Sequence, residues 1–174
     1  GAPGKSETQV TMHPELYEAL IQIGWISGPA SNTSIIELSE AELALPTTER
    51  EALIKARVGQ SFFRVQLLEY WKGCAVTGCG SSRLLLASHI KPWRAANPTE
   101  RLDPYNGLLL TPNLDLAFDK GLISFDDQGQ ILLGQDLDPE SARALNITPE
   151  LRLRQIEPRH RAYLAWHREH LFRK

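Results

Sequence analysis

Four side chains that could take part in acid–base or metal chemistry lie at the joints between the predicted elements of residues 84–121. They are His89, Asn106, Asp115 and Asp119. Asp115 and Asp119 are four residues apart in a stretch with helical pattern, and residues at this spacing share one face of a helix. Both carboxylates can therefore point at one ion, and their hard oxygen atoms suit Mg²⁺ or Mn²⁺.

Two strands, a polar loop and a short helix must hold these groups. One apolar run, residues 84–87, ends at Ser88-His89, and a second, residues 107–110, follows Asn106. Pro112 then begins the helix. A neutral imidazole at a strand end can accept a proton from water near neutral pH. A base, a cation and nearby Lys and Arg side chains are the groups that phosphodiester hydrolysis needs.

This stretch resembles the HNH endonucleases, which share the ββα-metal fold. The residues that carry the resemblance are the SHIKPW string at 88–93, Asn106, the two aspartates nine and thirteen residues after it, and the FDKG string at 118–121. The resemblance covers roughly residues 50–135. It implies an α+β protein with a ββα-metal (HNH) nuclease core, flanked by N-terminal helices and a C-terminal helix.

The resemblance also implies roles for individual residues. His89 would be the general base, and Asn106 would brace the loop that holds it. Asp115 and Asp119, with Ser88 nearby, would bind one divalent cation, Mg²⁺ or Mn²⁺ before Ni²⁺ or Zn²⁺. We further expect loop cations to contact the substrate backbone or the charge that develops on the phosphate: Lys91, Arg94 and Arg101.

The sequence departs from the family pattern at three places. Asp115 stands where the last histidine of the family name usually lies, and Ser88 supplies only a weak hydroxyl ligand. Many relatives carry two CxxC pairs that bind zinc, whereas this chain has only Cys74 and Cys79. Two thiolates do not complete a tetrahedral zinc site, so we predict no structural zinc.

Each candidate has a structural alternative. His89 could simply satisfy a backbone carbonyl, and Asn106 could be an Asn-Gly turn residue. Asp115 lies near a helix N-terminus, where a carboxylate is favourable without a metal, and Asp119 could lock the turn at Gly121. Asp103 is a reserve site candidate. We interpret four other histidines as surface residues: His13, His160, His167 and His170.

The functional hypothesis is a divalent-metal-dependent DNA endonuclease. By family resemblance it would be the nuclease domain of a bacterial restriction or defence protein. The alternative hypothesis is a catalytically decayed ββα module that binds DNA or a protein partner. A single site cuts one strand, so double-strand cleavage would need a homodimer or two visits. A separate target-recognition domain could supply DNA affinity.

Composition is compatible with this hypothesis. The 174 residues carry a net charge of −2, which is not typical of a strong nucleic-acid binder. Residues 1–50 hold two basic and seven acidic side chains, whereas residues 51–120 hold nine basic and six acidic ones. The basic surplus therefore coincides with the motif and favours local phosphate contact.

The remaining pattern predicts two regions, a helical appendage or linker at 1–46 and a nuclease domain at 47–174. Residues 1–5 resemble a cloning remnant. We predict helices at 13–26, 38–45, 48–58, 61–71, 139–146 and 158–172, with Gly59 as a helix break. Phe62, Val65 and Leu68 are expected to face inward.

Hairpins are predicted for residues 74–77 with 84–88 and for 122–125 with 130–133. No apolar stretch is long enough to span a membrane, and no signal peptide is visible. Two cysteines without an export signal favour the cytoplasm.

Overall fold

The computed structural model describes residues 38–174. The predicted helix at 13–26 and most of the predicted appendage lie outside this range. The chain divides into two units, Gly1–Val58 and Gly59–Lys174.

The first described element is a short helix, α1, at Glu40–Leu43. Its start follows from a capping box, in which the Ser39 hydroxyl accepts from the backbone N–H of Glu42 and the Glu42 carboxylate accepts from that of Ser39. The ion pair between Arg57 and Glu42, with an N–O distance of 2.6 Å, lies within the same unit. The helix predicted at 38–45 is confirmed.

The second helix, α2, runs without interruption over Thr47–Trp71, so the predicted break at Gly59 is wrong. A Cβ at this position would lie 3.2 Å from the indole ring of Trp93. The glycine therefore provides space for Trp93 to pack and does not end the helix. Its cost as a helix residue, about 1 kcal/mol, is small enough for packing to override.

The buried face of α2 is formed by Phe63, Leu67 and Trp71. The predicted inward face is wrong at Val65, which is 52% exposed, whereas Leu68 is partly buried and packs against the core as predicted. The i, i+4 and i+8 positions share a helical stripe, and it is this stripe that packs on the strand pair.

The motif forms the predicted strand, loop, strand and helix. Strand β1, Leu86–His89, pairs antiparallel with β2, Gly107–Leu110, and His89 lies opposite Gly107. Helix α3 follows at Pro112–Asp119. Short 3₁₀ turns precede the strands, at Ser82–Leu84 and at Pro104–Asn106.

Residues 74–77 do not form the predicted strand. They make a turn closed by the hydrogen bond from the Gly78 N–H to the Cys74 carbonyl, at 3.0 Å. The turn is attached to β2 by the Ala75 N–H, which donates to the Leu109 carbonyl. Cys74 and Cys79 are both free thiols.

The C-terminal part adds a second hairpin and two helices. Strands β3, Ile123–Phe125, and β4, Ile131–Leu133, pair as predicted. Helix α4 spans Pro139–Ala144 and α5 spans Pro158–His170. These elements match the predicted helices within two residues at each end.

The core lies where α2, α3, α5 and both hairpins meet. Its largest fully buried side chains include Trp71, Phe63, Phe118, Phe125 and Leu67. The predicted α+β class with a ββα unit is confirmed. Among residues 38–174, no helix is long and apolar enough to cross a membrane.

Candidate active site

The imidazole of His89 is oriented by a backbone carbonyl. Its Nε2 lies 2.8 Å from the carbonyl oxygen of Arg101. Because a carbonyl can only accept, this contact requires a proton on Nε2 and leaves the lone pair of the neutral ring on Nδ1. Burial lowers the pKa of His89, and the positive charge of Arg101 lowers it further. The hydrogen bond to the Arg101 carbonyl raises the pKa but does not offset these two effects. The ring is therefore neutral at pH 7.

The His89 ring is also fixed by aromatic contacts. It stacks on Phe63 at 3.8 Å with an interplanar angle of 7°, and meets the edge of Trp93 at 5.7 Å. Gly107 makes the stacking possible, since a Cβ there would lie 2.5 Å from the Phe63 ring. The sequence analysis did not predict that Phe63 stacks on the His89 ring or that Gly107 leaves the space for this stack. A glycine at the start of β2, directly after Asn106, was the available signal for a close approach.

Asn106 connects the two ends of the loop that follows His89. Its Oδ1 accepts the backbone N–H of Lys91 at 2.8 Å. Its Nδ2 donates to the carbonyls of Glu100, at 2.9 Å, and Lys91, at 3.2 Å. The side chain is 0% exposed, so these bonds face no competition from water. The Arg101 carbonyl that orients His89 follows directly after Glu100.

Ser88, Asp115 and Asp119 form a second cluster. Side chains alternate along a strand, so Ser88 points to the face of β1 opposite His89. The Ser88 side chain hydrogen-bonds to the half-buried Asp115 carboxylate. Burial raises the pKa of Asp115, the Asp119 charge raises it further, and the Ser88 hydrogen bond opposes both.

These two carboxylates fit a hard cation. Their negative charges repel each other, and a divalent ion would remove that repulsion. The number of possible metal ligands is nevertheless small. Within residues 38–174, no three or more His, Cys, Asp or Glu side chains gather in a group that could hold a metal. His89 is therefore not brought into the carboxylate cluster.

A comparison with protein families matches the segment that contains these residues. Residues 74–126 match the family model described as HNH endonuclease. This segment is similar to the HNH endonuclease family. The match includes His89, Asn106, both aspartates and the first strand of the hairpin that follows, and it confirms the resemblance predicted from the sequence.

One solved structure with a detectable likeness is described as "Modification dependent TagI restriction endonuclease". It is 23% identical, and the alignment covers 60% of this chain and 35% of that chain with a TM-score of 0.39. This chain thus spans about a third of that protein's length. No curated protein matches the chain.

The three loop cations of the HNH segment differ in their surroundings. Lys91 pairs with Glu100 at 2.7 Å. Arg101 donates from Nε to the Trp93 carbonyl and lies 5.0 Å from the Trp93 ring centroid. Arg94 is exposed. Of the three, Arg94 can reach a substrate without breaking a contact within residues 38–174.

Asp103, the reserve candidate, has a structural role. Its Oδ2 accepts from Arg159 at 3.0 Å and from the Tyr163 hydroxyl at 2.9 Å. Its Oδ1 accepts the backbone N–H of Tyr105. Asp103 therefore attaches the loop to α5 and is not free to bind a metal.

Two of the histidines predicted at the surface are buried. His160 is 0% exposed and His167 is 1% exposed. The His167 ring stacks on Phe118 at 3.8 Å, and its Nε2 lies 3.0 Å from the Phe118 carbonyl. The spacing of His160 and His167 around Leu164 follows one helical stripe, which was the missed signal. His170 is exposed as expected, and His13 lies outside the described residues.

Proposed function

We propose that this chain is a divalent-metal-dependent DNA endonuclease in which His89 deprotonates the attacking water. The observation that carries the proposal is the orientation of the ring. The bond from Nε2 to the Arg101 carbonyl leaves Nδ1 as the proton acceptor. The lowered pKa keeps that nitrogen unprotonated at neutral pH, as a general base requires.

Asp115 and Asp119 would hold one divalent cation, Mg²⁺ or Mn²⁺ in preference to Ni²⁺ or Zn²⁺. The bound ion would supply Lewis-acid stabilisation of the charge on the phosphate and on the leaving 3′ oxygen. Ser88 orients the Asp115 carboxylate through its hydrogen bond. Asn106 fixes the loop whose Arg101 carbonyl sets the His89 tautomer, and Arg94 contacts the DNA backbone.

The proposed biological unit follows from the number of catalytic groups in one chain. One His89 and one carboxylate pair attack one strand at a time, so double-strand cleavage needs a homodimer or two binding events. With a chain net charge of −2, strong DNA affinity is expected to come from a separate recognition domain. We place the chain, as a nuclease domain comprising residues 47–174, in bacterial restriction or defence.

A plasmid-nicking assay tests the proposal. The parent, His89→Ala and the matched control His13→Ala, which lies outside the motif, are compared in Mg²⁺, Mn²⁺, Ni²⁺ and EDTA. General-base catalysis contributes about 10²–10⁴-fold. Nicking should therefore fall by at least about a hundredfold in His89→Ala and cease in EDTA. Equal cutting by His89→Ala and the parent would refute the assignment.

The small ligand set favours one alternative, a decayed module that binds DNA without cutting it. Two carboxylates and one hydroxyl are few ligands for an ion that takes six or more oxygen atoms, the rest being water. DNA retention without cleavage in any of the three metals would support this alternative over the nuclease.

A further inference from the structure

A groove of about 330 Å³ lies between the loop that follows His89 and helix α5. The loop contributes Lys91, Glu100 and Asp103 to its walls, and α5 contributes Arg159, Tyr163 and Trp166. Its volume is at the lower end of the range, about 300–1,000 Å³, that is typical of small-molecule sites. None of the groups assigned to cleavage above, apart from Lys91, lines it.

Trp166 provides an aromatic wall for this groove. Its ring is stacked on His170 with centroids 4.3 Å apart and an interplanar angle of 8°. The Lys91 ammonium lies over the Trp166 ring, 5.9 Å from its centroid, so a base that stacks on this face would take its place while the ammonium turns to the edge of the base. An indole that is supported by a parallel ring and lines a groove is a stacking surface for a planar ligand.

The Lys91–Glu100 pair provides a polar edge beside that wall. Glu100 Oε2 accepts from Lys91 and from the Asn97 N–H, whereas Oε1 accepts from Lys91, at 2.9 Å. A carboxylate oxygen has two acceptor sites and an ammonium has three donors. With the contacts in residues 38–174 counted, Oε1 can take one more donor and Lys91 can give one more hydrogen bond.

The charge balance of the groove selects against a phosphate. Glu100 and Asp103 place two carboxylates on its walls, and each is already paired with a cation, Lys91 or Arg159. An anion would meet neutralised cations and two nearby negative charges. A flat, uncharged ring with a donor and an acceptor on one edge meets none of these penalties. Nucleobases have this edge pattern.

The same loop carries the contacts that organise His89. Asn106 bonds to the Lys91 N–H and to the Glu100 carbonyl, and the next carbonyl, of Arg101, orients the His89 ring. A ligand held by the Lys91 and Glu100 side chains is therefore attached to the segment that positions the general base.

We infer that this groove is a nucleobase subsite, in which a base with an exocyclic amino group stacks on Trp166 and hydrogen-bonds to Glu100 and Lys91. The inference rests on the proposed nuclease function and adds a substrate property. The base must be unpaired or extruded from the duplex, because a stacked and paired base exposes neither its face nor that edge.

The test measures binding of the full chain to short, fluorescein-labelled single-stranded oligonucleotides in EDTA, so that no cleavage is needed. An oligonucleotide of cytidines is compared with an abasic one of the same length and charge. The parent should bind the cytidine strand about tenfold more tightly, which lies within the range of base–aromatic stacking. Trp166→Ala should lose that preference, and Leu133→Ala, an exposed apolar residue outside the groove, should keep it.

A second variant, Glu100→Gln, addresses the polar edge without removing the aromatic wall. Its neutral amide is a weaker acceptor and no longer forms an ion pair with Lys91, so the preference for the cytidine strand over the abasic strand should fall without being abolished as it is in Trp166→Ala. Circular dichroism checks that each variant is folded.

The outcomes separate the subsite from the nuclease. Base-dependent binding that requires Trp166, in a protein that never nicks DNA, would support the subsite and refute the nuclease. Nicking that depends on His89, with equal binding of abasic and base-containing strands, would overturn the subsite and leave the nuclease intact. Retention of base preference in a folded Trp166→Ala protein would also overturn it.

Discussion

Acidification should destabilise this protein through His167, a residue that does not belong to the HNH motif. Its ring is 1% exposed and lies between the Phe118 carbonyl and the Ser124 hydroxyl, each 3.0 Å away. The carbonyl requires a proton on Nε2, so Nδ1 accepts from Ser124 and the neutral ring is fully paired. Burial lowers the pKa of His167 to about 4 from an ordinary value of 6.5.

The sign and size of the effect follow from linkage. The folded pKa is depressed, so the stabilising contribution is present above pH 6.5 and is lost as the pH falls towards 4. In this window the unfolded chain takes up a proton that the folded chain does not. One pH unit corresponds to about 1.4 kcal/mol. The free energy of unfolding should therefore fall by about 2 kcal/mol from pH 7 to pH 5, and by about 3 kcal/mol at pH 4.

Urea unfolding at pH 7, 6 and 5 measures this slope in the parent, His167→Gln and His170→Gln. His167→Gln should be less stable than the parent at pH 7, because the stack on Phe118 is lost. Between pH 7 and pH 5, however, its free energy of unfolding should fall by about 2 kcal/mol less than that of the parent. His170→Gln, an exposed histidine of the same helix, should keep the parental slope. Equal slopes in all three proteins would refute the reasoning. Burial also lowers the pKa of His160. This residue contributes the same pH dependence to all three proteins, so its effect cancels in the comparison.

Three further predictions concern the site. The pH profile of kcat/KM for nicking should rise to a plateau with a midpoint below 6.5, because burial lowers the pKa of His89; a midpoint above 6.5 contradicts its role as base. Asn106→Ala leaves the partly buried N–H of Lys91 without its side-chain acceptor and should lower the free energy of unfolding, measured in urea, by about 1–3 kcal/mol. No loss of stability would mean that Asn106 does not hold the loop. Gly107→Ala should destabilise the fold by about 1–3 kcal/mol through overpacking, whereas Gly80→Ala, whose Cβ would meet no atom within 4 Å, should melt like the parent. Equal melting temperatures of the two alanine variants would exclude the close approach at Gly107.

The motif could be predicted from the sequence because its information is local. Two apolar runs, a polar loop and a helix start defined by Pro112 place His89, Asn106 and the aspartates within one short segment. The hairpin around Asp126 was equally predictable, because its turn residues lie next to its strands.

The parts that could not be predicted depend on contacts between distant segments. Gly59 carries a helix-breaking signal, but the ring of Trp93 fills the space beside it. His160 and His167 lie on a helix of polar composition and become buried because the 3₁₀ turn before β2 and strand β3 pack against α5, and because Phe118 at the end of α3 stacks on His167. Local propensity is a weak prior, and tertiary packing overrides it at these positions.

Contacts between distant segments also explain why the short HNH motif is surrounded by further helices. The strand pair and α3 carry the chemical groups, but they do not fix them. Phe63, from α2, holds the His89 ring, and His167, from α5, holds the Phe118 carbonyl beside Asp119. A catalytic side chain must be held by neighbours whose own positions are locked by packing. Substitutions on the buried faces of α2 and α5 should therefore lower activity without touching substrate or metal.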